Sequence, residues 1–216
     1  MPNISSELIQ SGKIAYNEGN LTLAAEIFNK AAEQGDSDGQ YFLGYFYMDG
    51  IGVAQDHTKA FYWFEKGAAQ GNVNAIQCLA AQYFNGNGVT RNEAKAFELY
   101  TLLAEHGYAA AQATVGTLYA RGQGTAQDFK KAVEWSKKAA LQGNLVALYH
   151  MGVFYANGQG VEQDLSESKE WLQKAVDGGH EPSKDLLKKV KSAIFDKRAW
   201  LAFDLFTEFI ASGSDS

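Results

Sequence analysis

With a single cysteine, Cys78, the chain can form no intramolecular disulfide and can build neither a disulfide framework nor a cysteine-based zinc site. Proline is almost missing too, with 2 residues against 22 glycines. Few prolines leave long helices uninterrupted, and many glycines must then stand at regular breaks between them. Basic residues are in deficit: 19 Lys and Arg face 25 Asp and Glu, a net charge of −6. Such a surface is poorly suited to neutralising phosphates, so no nucleic-acid partner is expected. No stretch reaches the ~18 to 20 apolar residues that span a bilayer. The opening Met1-Pro2-Asn3-Ile4-Ser5-Ser6 lacks the basic start and apolar core of a signal peptide. As written the sequence predicts a cytoplasmic protein, or a periplasmic or secreted one whose leader has been removed. What is plentiful is apolar side chain, 46% of residues and ample for a folded core.

The dominant feature is periodic. Gly35, Gly71, Gly107, Gly143 and Gly179 fall on one ruler with a step of 36. Three more ladders share that step: Tyr47, Tyr83, Tyr119 and Tyr155; Gly50, Gly86, Gly122 and Gly158; and Gly52, Gly88, Gly124 and Gly160. Within a unit, Leu43, Gly44 and Tyr47 put Leu and Tyr on one face of a first helix, with a small residue beside them for close helix approach. Gly50-Ile51-Gly52-Val53-Ala54-Gln55-Asp56 follows, with two glycines suited to positive φ and an Asp suited to cap the next helix. Asp128 and Asp164 repeat that cap and Asn92 replaces it once. The second helix carries Ala60, Trp63, Phe64 and Ala68 on one stripe, and the final Gly of the unit ends it.

The pattern Leu-Gly-x-x-Tyr-x-x-Gly-x-Gly-Val-x-x-Asp-x-x-Lys-Ala-x-x-Trp-x-x-Lys-Ala resembles the Sel1-like repeat, a relative of the tetratricopeptide repeat. The resemblance implies an all-α fold, a right-handed α/α solenoid with atypical terminal capping helices. Four repeats are expected, over 37–72, 73–108, 109–144 and 145–180, after an N-terminal capping pair in 1–36 that is closer to an ordinary tetratricopeptide repeat. Capping helices in 181–211 and a disordered tail in 212–216 complete the expected organisation. Departures from the pattern are local: Ala80 and Leu99 in the second repeat, Val115 and Thr125 in the third, Glu167-Ser168 for Lys-Ala in the fourth.

Catalytic chemistry finds little support. The recurrent Gly-x-Gly occurs once per unit between helices, whereas a phosphate cradle follows a strand and occurs once. His57, His106, His150 and His180 lack the spacing of a metal site, and His106 stands at a slot held elsewhere by Gln34, Gln70 and Gln142, a surface helix end. Cys78 aligns with Phe42, Thr114 and His150 and reads as a packed thiol. The carboxylate pairs Asp36 with Asp38 and Glu162 with Asp164 read as helix caps. No metal and no cofactor is expected. Some Sel1-like proteins are cysteine-rich and have been proposed to bind penicillin, which would imply an enzyme acting on β-lactams or peptidoglycan peptides. Neither paired cysteines nor a Ser-x-x-Lys with its supporting motifs is present to carry that over.

The resemblance instead implies a non-catalytic adaptor or scaffold that binds a protein or peptide on a concave surface lined by the first helices, or, more narrowly, a bacterial immunity protein that neutralises an effector. Helical spacing places Asp38, Tyr41, Tyr45 and Met48 on that lining in the first repeat, and Asn74, Gln77, Ala81 and Phe84 in the second. The third contributes Ala110, Ala113, Thr117 and Arg121, and the fourth Val146, Tyr149, Val153 and Asn157. Expected partner contacts are Tyr41, Tyr45, Met48, Gln77, Phe84, Thr117, Arg121, Tyr149 and Asn157, with the aromatic residues supplying most of the energy. Near the C-terminus, Lys184, Lys188, Lys189, Lys191, Lys197 and Arg198 gather on a cap helix opened by Pro182. Beyond it Trp200, Phe203, Phe206 and Phe209 form an apolar band that must be covered, by the last repeat, by a second copy in a weak homo-oligomer, or by a membrane interface.

Overall fold

Each repeat becomes two helices of equal length because its stop signals sit at fixed positions. The structure, a computed structural model, describes residues 4–195. The band from Trp200 to Phe209, Lys197, Arg198 and residues 212–216 therefore lie outside the described residues. The first helices of the four repeats are α3 (Ser37–Asp49), α5 (Val73–Asn85), α7 (Ala109–Arg121) and α9 (Leu145–Asn157). The second helices are α4 (His57–Ala69), α6 (Glu93–Glu105), α8 (Phe129–Leu141) and α10 (Leu165–Asp177). All eight have 13 residues. A shorter-linked pair, α1 (Ile4–Asn17) and α2 (Leu21–Glu33), precedes them and α11 (Pro182–Phe195) follows. Among the described residues there is no strand.

The link explains the regularity. Gly50 ends α3 in the left-handed region at φ 71°, its N–H bonded to the Phe46 carbonyl. Six residues on, the Asp56 N–H donates to the Tyr47 carbonyl at 2.9 Å, while its carboxylate accepts from Lys59 N at 3.0 Å and so caps α4. The same two bonds recur at Asn92, Asp128 and Asp164. The residue before the cap also returns to the first helix: the amides of Gln55, Gln127 and Gln163 donate to the carbonyls of Met48, Ala120 and Ala156. Asp128→Ala removes one side-chain cap and leaves the backbone bond to Tyr119 in place. It is expected to lower stability by about 1 kcal/mol, read as a lower urea midpoint at unchanged slope.

Close helix approach has the anticipated cause. A Cβ on Gly44 would stand 2.8 Å from the Phe64 ring, and one on Gly152 would stand 2.5 Å from Leu172 Cγ. Phe64 and Leu172 are fully buried and cannot yield. The second link glycine has a further role that the periodicity does not reveal. A Cβ on Gly52, Gly88 or Gly160 would overlap the carbonyl oxygen of Leu21, His57 or Phe129, each at the start of the preceding hairpin's second helix. These glycines let one hairpin's link lie directly on the backbone of the hairpin before it.

Two compact units form, Met1–Leu103 and Ala104–Ser216. In the first, Phe28 packs with Leu43 and Phe46, and Phe64 packs with Leu79, Tyr83 and Ala96. In the second, Met151 and Phe154 pack with Leu148 and Trp171, and Leu186, Leu187 and Val190 of α11 cover Val153 and Leu172. In one hairpin of each unit an exposed glutamine at the end of the second helix is fastened to a buried glutamine of the first helix and to the turn before it. Gln70 Nε2 donates to Gly35 O at 2.9 Å and Gln40 Oε1 at 2.8 Å, and Gln142 does the same to Gly107 O and Gln112 Oε1.

The second-helix stripe needs one correction. Trp63 and Trp135 are half-buried rather than core residues, because Lys66 and Lys138 lie over their outer faces at 5.3 and 4.0 Å from the ring centroids. Ammonium over indole is an attractive pairing, and it lets a large ring stop at the surface. The consensus Lys-Ala lysine likewise lies over the tyrosine ladder, Lys59 over Tyr47 at 5.1 Å, Lys95 over the buried Tyr83 at 4.8 Å and Lys131 over Tyr119 at 5.3 Å.

Candidate protein-binding surface

In the first compact unit, the exposed side of α3 and α5 is built from side chains left over after the Leu, Gly and Tyr ladder is packed. Tyr41, Tyr45, Met48 and Gln77 lie there, as their helical spacing requires. Tyr41, Tyr45 and Phe42 join Lys13, Tyr16 and Asn17 of α1 around a hollow of about 270 Å³ floored by Phe28 and Phe46. Its rings support one another: Phe28 and Phe42 stack at 4.6 Å, Tyr41 and Phe42 lie 5.0 Å apart, and Lys13 Nζ stands 5.2 Å over Phe42. Tyr41 also lines a second hollow, of about 320 Å³, with Met48, Asn74, Gln77, Ala81 and Tyr100. The surface is therefore an aromatic wall with amide and hydroxyl tips. Phe84 lies apart from both hollows and packs under the Arg91 guanidinium at 5.9 Å.

Ionisation in this region favours neutral groups. The Tyr45 hydroxyl donates a hydrogen bond to the Asp49 carboxylate, and that bond, with the carboxylate's charge, pushes the phenol's pKa up. Burial, and then the neighbouring Cys78, raises Tyr41 and carries Tyr100 up to about 12. Cys78 itself is raised to about 11, mainly by burial and then by the Asp49 charge. Only the thiolate is nucleophilic, so this cysteine is a packed and quiet one. At pH 7.5, iodoacetamide is expected to alkylate it about 100-fold more slowly than a free cysteine, with the ordinary rate restored in denaturant.

The second unit is arranged differently. Thr117 turns its hydroxyl back onto the Ala113 carbonyl at 3.0 Å. Arg121, Tyr149 and Asn157 are half-buried. The Tyr149 ring lies 5.9 Å from His150 and 5.4 Å from His180, so the fold assembles histidines that are distant in sequence. Two of the lining positions are core instead: Ala113 joins the cluster around Leu148, and Val153 is sealed by α11. Among the described residues no group of His, Cys, Asp and Glu could hold a metal ion, and no helix is long and apolar enough to cross a membrane.

Stacked two-helix units with repeated glycine links and a spare helix face define an α/α repeat scaffold of the solenoid class. The Sel1 repeat model matches residues 13–36, 37–72, 77–108, 109–144 and 145–180, and the chain belongs to the Sel1 repeat family. Proteins of this family generally serve as non-catalytic protein-interaction scaffolds. No curated protein matches the chain in sequence. Among solved structures it is similar to c5321, a protective antigen present in uropathogenic Escherichia coli strains, with 33% identity and a TM-score of 0.83. That similarity covers 92% of this chain and 43% of the antigen, so the chain spans less than half of its length. It is also similar to a Sel1 repeat protein from Oxalobacter formigenes, with 28% identity and a TM-score of 0.77, over 83% of this chain and 72% of the other.

Proposed function

We propose that the chain is a non-catalytic adaptor that binds a protein segment across the aromatic wall of α1, α3 and α5. The observation that carries this is the pair of hollows sharing Tyr41, whose half-exposed rings pack on one another, Phe42 being stacked on Phe28, beside exposed amide side chains such as Gln77. Rigid aromatic rings with polar tips give contact area at low entropic cost, which suits peptide capture. Burial raises the Cys78 thiol to about 11 and keeps it protonated and unreactive at physiological pH, so the wall carries no activated nucleophile there. Thr117, Arg121, Tyr149 and Asn157 are proposed as secondary contacts in the other unit.

The test places a photo-cross-linking amino acid at position 45 or 77 of the full chain, with position 65 on α4 as the control. Adducts of one discrete mass from 45 and 77, and none from 65, are the expected result. Equal labelling from all three positions, or none at 45 and 77, would remove the proposal.

A further inference from the structure

The fourth repeat breaks a rule that the other three keep. In repeats one to three an internal lysine lies over the ladder tyrosine, and Lys59 also reaches Asp56 Oδ2 at 3.6 Å. In the first repeat, ring and cap carboxylate together hold the ammonium. The fourth repeat retains Tyr155 and Asp164 at the same places, but the step of 36 from Lys59, Lys95 and Lys131 arrives at Glu167. The Glu167 carboxylate accepts from Trp171 Nε1 at 3.1 Å, which keeps it on the first turn of α10. A second substitution has the same sign: Glu162 stands where the other repeats have Ala54, Thr90 and Ala126. Tyr155, Val161, Glu162, Gln163 and Asp164 surround an open hollow of about 510 Å³. Of its two acidic residues only Asp164 caps a helix, through Ser166 N and Glu167 N, while Glu162 is an exposed wall residue.

We propose that this hollow binds a lysine side chain supplied by a protein partner, which takes the place that the internal lysine fills in the sibling repeats. The cation that lies over the sibling rings is replaced by Glu167, whose carboxylate is held by Trp171, and Glu162 adds a carboxylate to the wall beside a ring whose counterparts each carry an ammonium. An anionic ligand would lose from those changes and a neutral donor would gain only a hydrogen bond, whereas an incoming ammonium gains both the charge-assisted bond and the ring face. The site faces the link and the start of α10, so it stands independently of the aromatic wall in the first unit.

The probe is a fluorescein-labelled peptide of alternating Gly and Lys, titrated into the full chain by anisotropy beside its fully Nζ-acetylated counterpart. In parallel the tyrosine rings are observed by 13C NMR, with Tyr155 assigned through Y155F. The lysine peptide is expected to bind and to shift the Tyr155 ring, and the acetylated peptide to do neither. E167K restores the internal lysine of the siblings and is expected to weaken binding about tenfold, whereas E134K, the same charge change on exposed α8 surface, changes it less than about twofold. Should E167K fail to fold, E162A, which installs the residue of repeats one and three, is expected to weaken binding about threefold. Equal affinities of E167K and E134K, equal binding of the acetylated peptide, or an unmoved Tyr155 ring would overturn the assignment. So would a dimer in sedimentation that E167K dissolves, because the lysine would then come from a second copy.

Discussion

Gly88→Ala is expected to be among the most damaging single-methyl changes in the chain, costing about 4 kcal/mol. Two independent penalties meet at this residue. Its φ of +72° lies in the left-handed region, where an L side chain is strained, and its Cβ would overlap the His57 carbonyl oxygen and stand 2.8 Å from Thr58 N. Both neighbours are backbone at the start of α4, so no rotamer change relieves the overlap and two hairpins must separate. Gly71→Ala is the matched control, since Gly71 has φ +79° and nothing within 4 Å of its Cβ. There only the conformational cost of about 1–2 kcal/mol remains. Urea titration of both variants measures the difference, and equal losses would show that contact between adjacent hairpins is not what the second link glycine provides.

Acid should loosen the second unit before ordinary carboxylates titrate. His150 is buried at 7% exposure, and its pKa is depressed from 6.5 to about 3, first by burial and then by the positive charges of Arg121 and His180. Burial also lowers His180, so neither histidine on that side welcomes a proton. The unfolded chain takes up a proton near pH 6.5 that the folded chain refuses until about pH 3. Stability is therefore full above pH 6.5 and falls as pH drops through that window, by about 1.4 kcal/mol per unit. Between pH 7.5 and 4.5 the loss expected from His150 is about 2.5 kcal/mol. His150→Phe, which installs the residue found at Phe42, should flatten most of that slope. A variant as acid-sensitive as the parent would place the effect elsewhere.

The fold was legible because the same interactions recur in register. A tyrosine whose carbonyl receives the cap residue's N–H, and a cap whose carboxylate receives the next helix's N–H, leave a trace every 36 residues. The candidate surface was only partly legible. Tyr41, Tyr45, Met48 and Gln77 follow from helical spacing, but Lys13 and Tyr16 do not fall on the 36-residue ruler. The link after α1 is four residues shorter than the others, which moves α1 to a step of 32. On that step Gly12 matches Gly44, and a Cβ on Gly12 would meet the Phe28 ring as one on Gly44 meets Phe64. Tyr16 then matches Met48. Val153 was misplaced because a helix covered on both sides, as α9 is by α10 and α11, has no spare face there. Glu167 is visible as a departure from the pattern, whereas the lysine-over-tyrosine packing that it interrupts shows only in the folded structure.

The proposed place where a partner is held is the aromatic wall of the first unit, and one binding measurement bears on it most directly. The partner captured through position 45 or 77 is titrated calorimetrically into the parent chain and into Tyr45→Ala, with thermal melts confirming that both are folded. A loss of affinity of about 30-fold or more, the signature of an aromatic anchor, is the expected result. An unchanged dissociation constant in a fully folded Tyr45→Ala chain would contradict the account.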